Sequence, residues 1–597
     1  MPTLDKIKQK ITAAINQILK KNIVKAADLV YSPNSQFGDL SLPCFTVAKE
    51  LKKSPVATAE FLMSKIKINN IISTTKAIGP YLNFTFNKAN LAREVIGEIL
   101  KIKDNYGTNK SGRNKKVMVE YSNVNTHKEY HVGHLRNICF GNAVAKILRA
   151  NGYKVISVSY INDLGIHVAK TLWALEKFYK SPHTPFIKGV EKEGSKGYFL
   201  GKVYLRACQE LAKDELAKGA VSLIMKKIAS RQGAEYKLWQ KTRTWSMAGF
   251  AKIYQELGIK FDRTFYESEY LEPGLDLVAK LYKERFLTKS DGAIIADLDK
   301  FNLGVLLFLR SDGTALYPVA DLPLARDKFK KYKIDKSIYV VDIRQTLYFK
   351  QLFKVLELLG YASTKLGTGK KEMVHLSYEF VKLPSGMMSS RTGQVITYED
   401  LREQIIKKAI SETKKRHQDW GDKKIKETAN KLAIGAIKFE MIKVNADKII
   451  TFDINQALRF DGFTAAYLQY TYARINSIIR KSKVHCRGGT GKSQKSIPPW
   501  REKIQNLKLE NIKEQQLIIK LAKYPEVVKM AGEKYDPAEL AKYLFDLARD
   551  FNDYYHSVPV LKAKKEVREA RLLLIKSVSQ VIANGLALLG IEVMKEM

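Results

Sequence analysis

The chain has 597 residues, 45% of them hydrophobic and 27% charged, the make-up of a globular protein with room for several cores, which excludes low-complexity, collagen-like and disordered classes. Its 102 Lys and Arg against 61 Asp and Glu leave a net charge of +41, which fits a polyanionic partner held through counterion release, or a source whose proteins are basic throughout. Cys44, Cys139, Cys208 and Cys486 are too scattered for a zinc or disulfide framework, so no metal centre is expected, and no apolar run approaches the length of a membrane span.

In chain order, residues 1–20 repeat apolar side chains at helical spacing (Leu4, Ile7, Ile11, Ile15, Ile18) amid frequent charge, which predicts an amphipathic helix and no export signal; the cytoplasm is the expected compartment. FGDLSLP (37–43) and GPYLNFTF (79–86) follow, the second alternating after Gly-Pro like a strand entered from a turn. Together they predict a small α+β domain over 1–92, and the polar, basic stretch 104–116 predicts a linker. At 117 VMVEYSN opens a strand, HVGHLRNICFGNAVAKILRANGY reads as a helix and KVISVSYIND as a second strand: a βαβ unit. That predicts a Rossmann-like α/β domain over 112–395, with a helical insertion around 172–260. AIIADL (293–298), GVLLFL (304–309) and SIYVVDI (337–343) predict further strands of the same sheet. Helical periodicity then fills 396–597, an α-helical bundle interrupted by a basic Gly/Ser/Pro loop at 480–500.

HVGH, His131 to His134, falls at the strand-to-helix junction of the βαβ unit. Two imidazoles there can reach a triphosphate, Gly133 lets a nucleoside approach the backbone, and the helix N-terminus adds free N–H groups. The bland alternative is a pair of histidines capping a helix. The motif resembles the HIGH signature of class I aminoacyl-tRNA synthetases, and SGMMSSRTG (385–393) resembles their second phosphate loop, KMSKS. The resemblance implies ATP, with Mg²⁺ on the nucleotide, bound by His131, Gly133, His134, Met388, Ser389 and Ser390, with Ser389, Ser390 and Arg391 as donors. Met387 stands where that loop has its first lysine. Lys128, three residues before His131, is expected to supply the missing ammonium, as in arginyl enzymes that lack the loop lysine; the alternative is a solvated loop lysine.

Similarity to the arginyl members runs along nearly the whole chain. VEYSNVNTHKEYHVGHLRN resembles their strand-loop block, with Asn125 matched and Val124 and Glu129 in place of two prolines. FYESE (265–269), LRSDGTALYPVADL (309–322), YVVDIRQTLYFKQLF (339–353) and DPAELAKYLFDLARDFNDYYHS (536–557) resemble further blocks in the same order. The resemblance implies that Asp321 and Glu267 take the guanidinium with Tyr317 lining the pocket, while Glu120, Asn125 and Gln345 hold the α-ammonium and carboxylate. A planar guanidinium with five donors needs in-plane carboxylates, and Tyr317 and Asp321 are spaced to share a helix face. Taken singly, Asp321 and Glu120 could equally cap helices or pair with lysines, and Glu269 competes with Glu267.

The implied reaction is ATP-dependent activation of arginine to arginyl-adenylate, then transfer to the 3′ end of tRNA(Arg), with activation requiring bound tRNA and the enzyme a monomer. Asn83 and Phe86 fall where the family contacts the tRNA D-loop, with Lys88 in place of a glutamine. Tyr467, Gln469, Tyr470 and Arg474 suit unstacked anticodon bases, or equally a packed helix face with a snorkelling cation. A different class I substrate, or a catalytically inactive copy serving as an RNA-binding protein, are the competing readings; Met387 favours the second.

Overall fold

The structure, a computed structural model, describes the chain apart from residues 68–69, 180–195, 214–215, 362–370, 385–395, 485–499 and 506. A six-stranded parallel sheet forms its centre. Lys116–Glu120 lies between Lys336–Asp342 and Lys154–Asn162; Glu372–Tyr378 extends one side, and Val124–Asn125 and Arg263–Tyr266 pair with the far half of Lys154–Asn162. Every junction is parallel, so the C-terminal ends of the strands open on one edge. Helical crossovers enforce this: Val132–Ala150 links Lys116–Glu120 to Lys154–Asn162 and is buried along most of its length. It can lie that close because Gly141 sits under Tyr121, where a Cβ would come within 2.4 Å of the ring.

Two expected members of this sheet lie elsewhere. Ala293–Asp297 and Val305–Leu309 form, with Thr288–Ser290, a separate three-stranded antiparallel sheet. Parallel neighbours need a crossover of about a dozen residues. The connection here is one short turn around Asp299–Phe301, which permits only a hairpin.

The N-terminal unit is a four-stranded antiparallel sheet, ordered Val30–Tyr31, Leu40–Pro43, Tyr81–Phe86, Ile72–Ile78. Helix Thr3–Leu19 buries Leu4, Ile7, Ile11 and Ile15, as the spacing predicts. Residue 92, the expected end of this unit, is not a break in the backbone: helix Lys88–Ile102 runs across it with Val95, Ile96 and Ile99 buried. Nor is 104–116 a loose linker. Tyr106 is buried and its hydroxyl donates to the Leu521 carbonyl at 2.9 Å, and Gly107 lies tight against the Tyr524 ring.

The expected insertion is helical, comprising Ile166–Phe178, Lys196–Leu211, Leu216–Ala229 and Gly233–Glu256 around a core of its own that includes Leu172, Phe199, Val203 and Trp239. The C-terminal helices, from Tyr398–Arg416 to Lys565–Leu588, share one continuous core with the N-terminal unit and with Val132–Ala150. Lys565–Leu588 is long and apolar enough to cross a membrane by composition, and its apolar face is packed against Ala465–Val484 and Pro537–Ser557. Residues 480–484, expected in a loop, end the helix Ala465–Val484; 485–499 lie outside the described residues.

Candidate active site

His131 is the N-cap of helix Val132–Ala150, and the two signature histidines cap it reciprocally. His131 Nδ1 accepts the Gly133 N–H at 3.1 Å, His134 Nδ1 accepts the His131 N–H at 3.2 Å, and the rings stack at 3.8 Å. Capping and ligand contact are therefore not alternatives. Burial depresses both pKa values, His131 to about 4, aided by the nearby Lys128 and Arg344 charges. Neutral rings whose Nδ1 atoms accept must carry their proton on Nε2, which leaves two donors for phosphate oxygens. Gly133 is required because a Cβ there would stand 2.9 Å from the His131 ring. The Lys128 ammonium lies 5.1 Å from the Tyr204 ring centroid, and its charge is felt by both histidines. Met387, Met388, Ser389, Ser390 and Arg391 lie outside the described residues.

Beside this helix, at the C-terminal edge of the sheet, a cavity of about 190 Å³ is lined by Glu120, Asn125, Tyr317, Asp321 and Gln345, brought from four separate segments. This is the crevice where parallel α/β sheets open at their strand ends. Tyr317 begins helix Tyr317–Tyr332 and Asp321 lies one turn on, so both face the cavity. The Tyr348 hydroxyl donates to Asp321, whose pKa burial pushes up to about 6, Tyr348 partly offsetting it. Glu267 begins helix Glu267–Lys283, accepts from Asn162 Nδ2 at 3.2 Å, and is pushed up to about 8 by burial, with the Asp321 charge adding. Glu269 instead turns outward to Arg263 at 3.3 Å. Of the pair, Glu267 is the one that feels the Asp321 charge, although it is not itself among the residues lining the cavity.

Glu120 is buried, and one of its oxygens is taken by the buried ammonium of Lys328, so the bland reading of Glu120 as a lysine partner holds even though it lines the cavity. Burial alone would depress Lys328; the Glu120 carboxylate, together with Tyr339 and Asp321, overcomes it and raises the ammonium pKa. The sequence reading missed Lys328, Tyr348 and Asn123. The available signal was spacing: Lys328 lies two turns after Asp321, and Tyr348 one turn after Gln345.

The expected tRNA contacts fare less uniformly. Asn83 is buried, accepting from Ser41 Oγ at 2.6 Å, and Phe86 is 2% exposed, so both are core residues and not surface readers. Strand Tyr81–Phe86 buries Leu82, Phe84 and Phe86 on one face, and on the other Asn83 is buried between exposed Tyr81 and half-buried Thr85, which alternation alone does not reveal. Lys88 is held by Asp39. The exposed aromatics of this unit are Phe37, Phe45 and Tyr81, the last two in edge contact at 6.1 Å. Gln469 is likewise a correction: it is fully buried against Gly435 and donates to the Glu592 carbonyl at 2.8 Å. Tyr467 is half-buried and its hydroxyl accepts from Asn552 at 2.8 Å. Tyr470 and Arg474 do line an open cavity of about 510 Å³. It also contains Trp420, stacked on His417 at 3.8 Å, a pair the sequence reading did not single out.

Three family models match the chain in order: the arginyl tRNA synthetase N terminal domain over residues 5–86, the catalytic domain of class I tRNA synthetases (R) over 95–454, and the DALR anticodon binding domain over 468–597. Arginine–tRNA ligase of Bdellovibrio bacteriovorus is 36% identical, covering 95% of this chain and 94% of that protein. That of Clostridium acetobutylicum is 32% identical, covering 99% and 100%. Among solved structures, the Thermus thermophilus arginyl-tRNA synthetase aligns with a TM-score of 0.78 at 28% identity, covering 99% of this chain and all of that one.

Proposed function

The chain belongs to the arginyl-tRNA synthetase family of class I, and from that premise we propose how its residues divide the work. It is an arginine–tRNA ligase, an ATP-using enzyme whose other substrates are arginine and tRNA. In our reading the arginine side chain enters the cavity so that Asp321 and Glu267 take the guanidinium edges under Tyr317. Asn125 and Gln345 hold the other end, and Glu120 contributes only the oxygen that Lys328 leaves. His131 and His134 donate Nε2–H to the phosphates, Gly133 leaves room for the nucleoside, and Lys128 balances charge on the leaving pyrophosphate where Met387 cannot. The family resemblance also assigns Met388, Ser389, Ser390 and Arg391 to the phosphates. Mg²⁺ accompanies the triphosphate, carried on its phosphate oxygens.

An arginine carboxylate oxygen attacks the α-phosphorus, pyrophosphate leaves, and the terminal ribose hydroxyl of the tRNA then takes the arginyl group and releases AMP. Catalysis is positioning and charge stabilisation. Tyr470, Arg474 and Trp420 face the anticodon, and Phe45 and Tyr81 replace Asn83 and Phe86 as the N-terminal contacts. The enzyme works as a cytoplasmic monomer in translation. The observation that supports this division is that Glu120, Asn125, Tyr317, Asp321 and Gln345, drawn from separate sequence blocks, line one cavity beside the signature helix. Arginine-dependent ATP–pyrophosphate exchange with total tRNA present tests it. Arginine should support exchange and lysine should not, and Asp321→Asn should lower kcat/KM by roughly a thousandfold, as for a site built on charged hydrogen bonds. Unchanged kcat/KM in Asp321→Asn would overturn the assignment of the cavity. An inactive RNA-binding copy would give no exchange with any amino acid.

A further inference from the structure

The loop between Asn125 and the signature helix contains one residue in an unusual setting. His127 is fully buried and holds a left-handed backbone, φ +61°, a conformation that residues other than glycine adopt at a cost. Its ring spans two hydroxyls, Nδ1 to Thr126 Oγ1 at 2.9 Å and Nε2 to Thr242 Oγ1 at 2.7 Å, and its main-chain N–H donates to Ser246 Oγ at 3.0 Å. Thr242 Oγ1 spends its own proton on the Leu238 carbonyl at 2.8 Å, so it accepts from His127 Nε2–H, and Nδ1 accepts from Thr126. Every polar atom of the side chain is engaged. Burial pushes the ring pKa down to about 3, so His127 is neutral and takes no part in charge chemistry itself.

Thr242 and Ser246 lie one turn apart on the insertion helix Gly233–Glu256. The same helix holds the end of the neighbouring strand. Trp239 Nε1 donates to the Asp163 carbonyl at 2.7 Å, and Arg243 pairs with the Asp163 carboxylate at 2.8 Å. Asp163 in turn accepts the N–H and hydroxyl of Ser268, the residue after Glu267, at 2.9 and 2.7 Å. One helix of the insertion therefore braces both the segment that leads into Lys128 and the turn that carries Glu267. Tyr204, on another insertion helix, Lys196–Leu211, meets the Lys128 ammonium directly.

We propose that His127 is a positioning residue, pinned by Thr242 and Ser246, which holds the loop so that Lys128 is presented beside His131 and His134 for the activation step. The insertion is then a brace for the phosphate site and not only an appendage. The proposal rests on the assignment of Lys128 to the phosphates. A left-handed residue turns the chain sharply, and this one stands immediately before the lysine, so any relaxation toward ordinary backbone angles redirects the Lys128 side chain first.

Thr242→Val removes the hydroxyl that receives Nε2–H at nearly constant volume, far from any reacting atom. In arginine-dependent ATP–pyrophosphate exchange on the full chain with tRNA, it should lower kcat about tenfold, the cost of a modest misplacement, with KM for arginine unchanged. In a Lys128→Met background the same substitution should cost nothing further, because the group it positions is gone. His127→Asn, which tolerates the left-handed conformation and can donate to Thr242, should restore most of what His127→Ala loses. Equal losses from Thr242→Val in both backgrounds, or a parallel rise in KM for arginine, would overturn the proposal; a fall in kcat on Lys128→Met alone would show that the lysine assignment survives it. If Lys128→Met leaves kcat intact, the lysine assignment fails and the proposal falls with it.

Discussion

With Glu267 on the guanidinium, as proposed, arginine binding becomes a proton-linked event, and the size of the linkage follows from its surroundings. Burial and the neighbouring Asp321 charge push its carboxyl up to about 8, with Asn162 giving back only part. At about pH 7 a group with that pKa is ionised in roughly one molecule in ten. A guanidinium needs the ionised form, so binding must expel a proton, at a cost of about 1.4 kcal/mol at pH 7 that disappears above the free-state pKa. The sign is therefore fixed: affinity for arginine tightens as pH rises toward about 8 and then levels off, with a slope near tenfold per unit below it. Titration calorimetry in buffers of different ionisation enthalpy, from about pH 6.5 to 8.5, should show nearly one proton released per arginine at the acid end. Glu267→Gln should bind more weakly at high pH and lose the slope. An affinity that stays flat across this range with no buffer-dependent heat would refute both the elevated carboxyl and its contact with the guanidinium.

Three further perturbations follow from contacts inside the fold. Lys328→Met strands the buried Glu120 carboxylate, which should cost about 3–5 kcal/mol in urea unfolding, and adding Glu120→Gln should recover much of it. Gly133→Ala drives a methyl into the His131 ring; exchange kcat should fall at least about tenfold while the melting temperature shifts by only a few degrees, since the conflict is local. Asn83→Ala should destabilise the protein by about 1–3 kcal/mol by leaving Ser41 and two carbonyls unpaired, whereas Tyr81→Ala should leave stability nearly intact and raise KM for tRNA. The opposite pattern would restore Asn83 as a surface contact.

The signature histidines, the βαβ unit and the residues that line the cavity beside it are legible in the sequence for a common reason. Each depends on residues whose spacing or identity is set by chemistry that tolerates few substitutes: paired imidazoles at a helix N-terminus, a carboxylate one helix turn from an aromatic. What was illegible depends on partners distant in the chain. Strand character of Ala293–Asp297 and Val305–Leu309 was evident, but alternation carries no information on which strand pairs with which, and the short turn between them should have argued for a hairpin. Asn83, Phe86 and Gln469 look like surface readers because polar and aromatic side chains usually are; here each is enclosed by a layer supplied from another segment. Lys328 sits among Lys330, Lys331 and Lys333, and nothing local marks it as the buried one.

The cavity of this strongly basic protein comes to nearly balanced charge, and that balance bears on how arginine is told from lysine. Lys328 neutralises Glu120 and the Glu267 proton neutralises a second carboxyl, so near pH 7 Asp321 alone carries an uncompensated charge. Either cationic side chain brings the same single positive charge into the site, so charge cannot discriminate. Geometry can, because Asp321 and Glu267 sit on two different helices, and only a planar fork with donors on separate edges reaches both at once. The spacing of those helices is itself specified. Gly274, on the helix that begins at Glu267, approaches the Val319 carbonyl so closely that a Cβ would stand 1.9 Å from it. A glycine outside the cavity lining thus lets the two helices that carry the proposed carboxylates, Glu267 and Asp321, pack in direct contact.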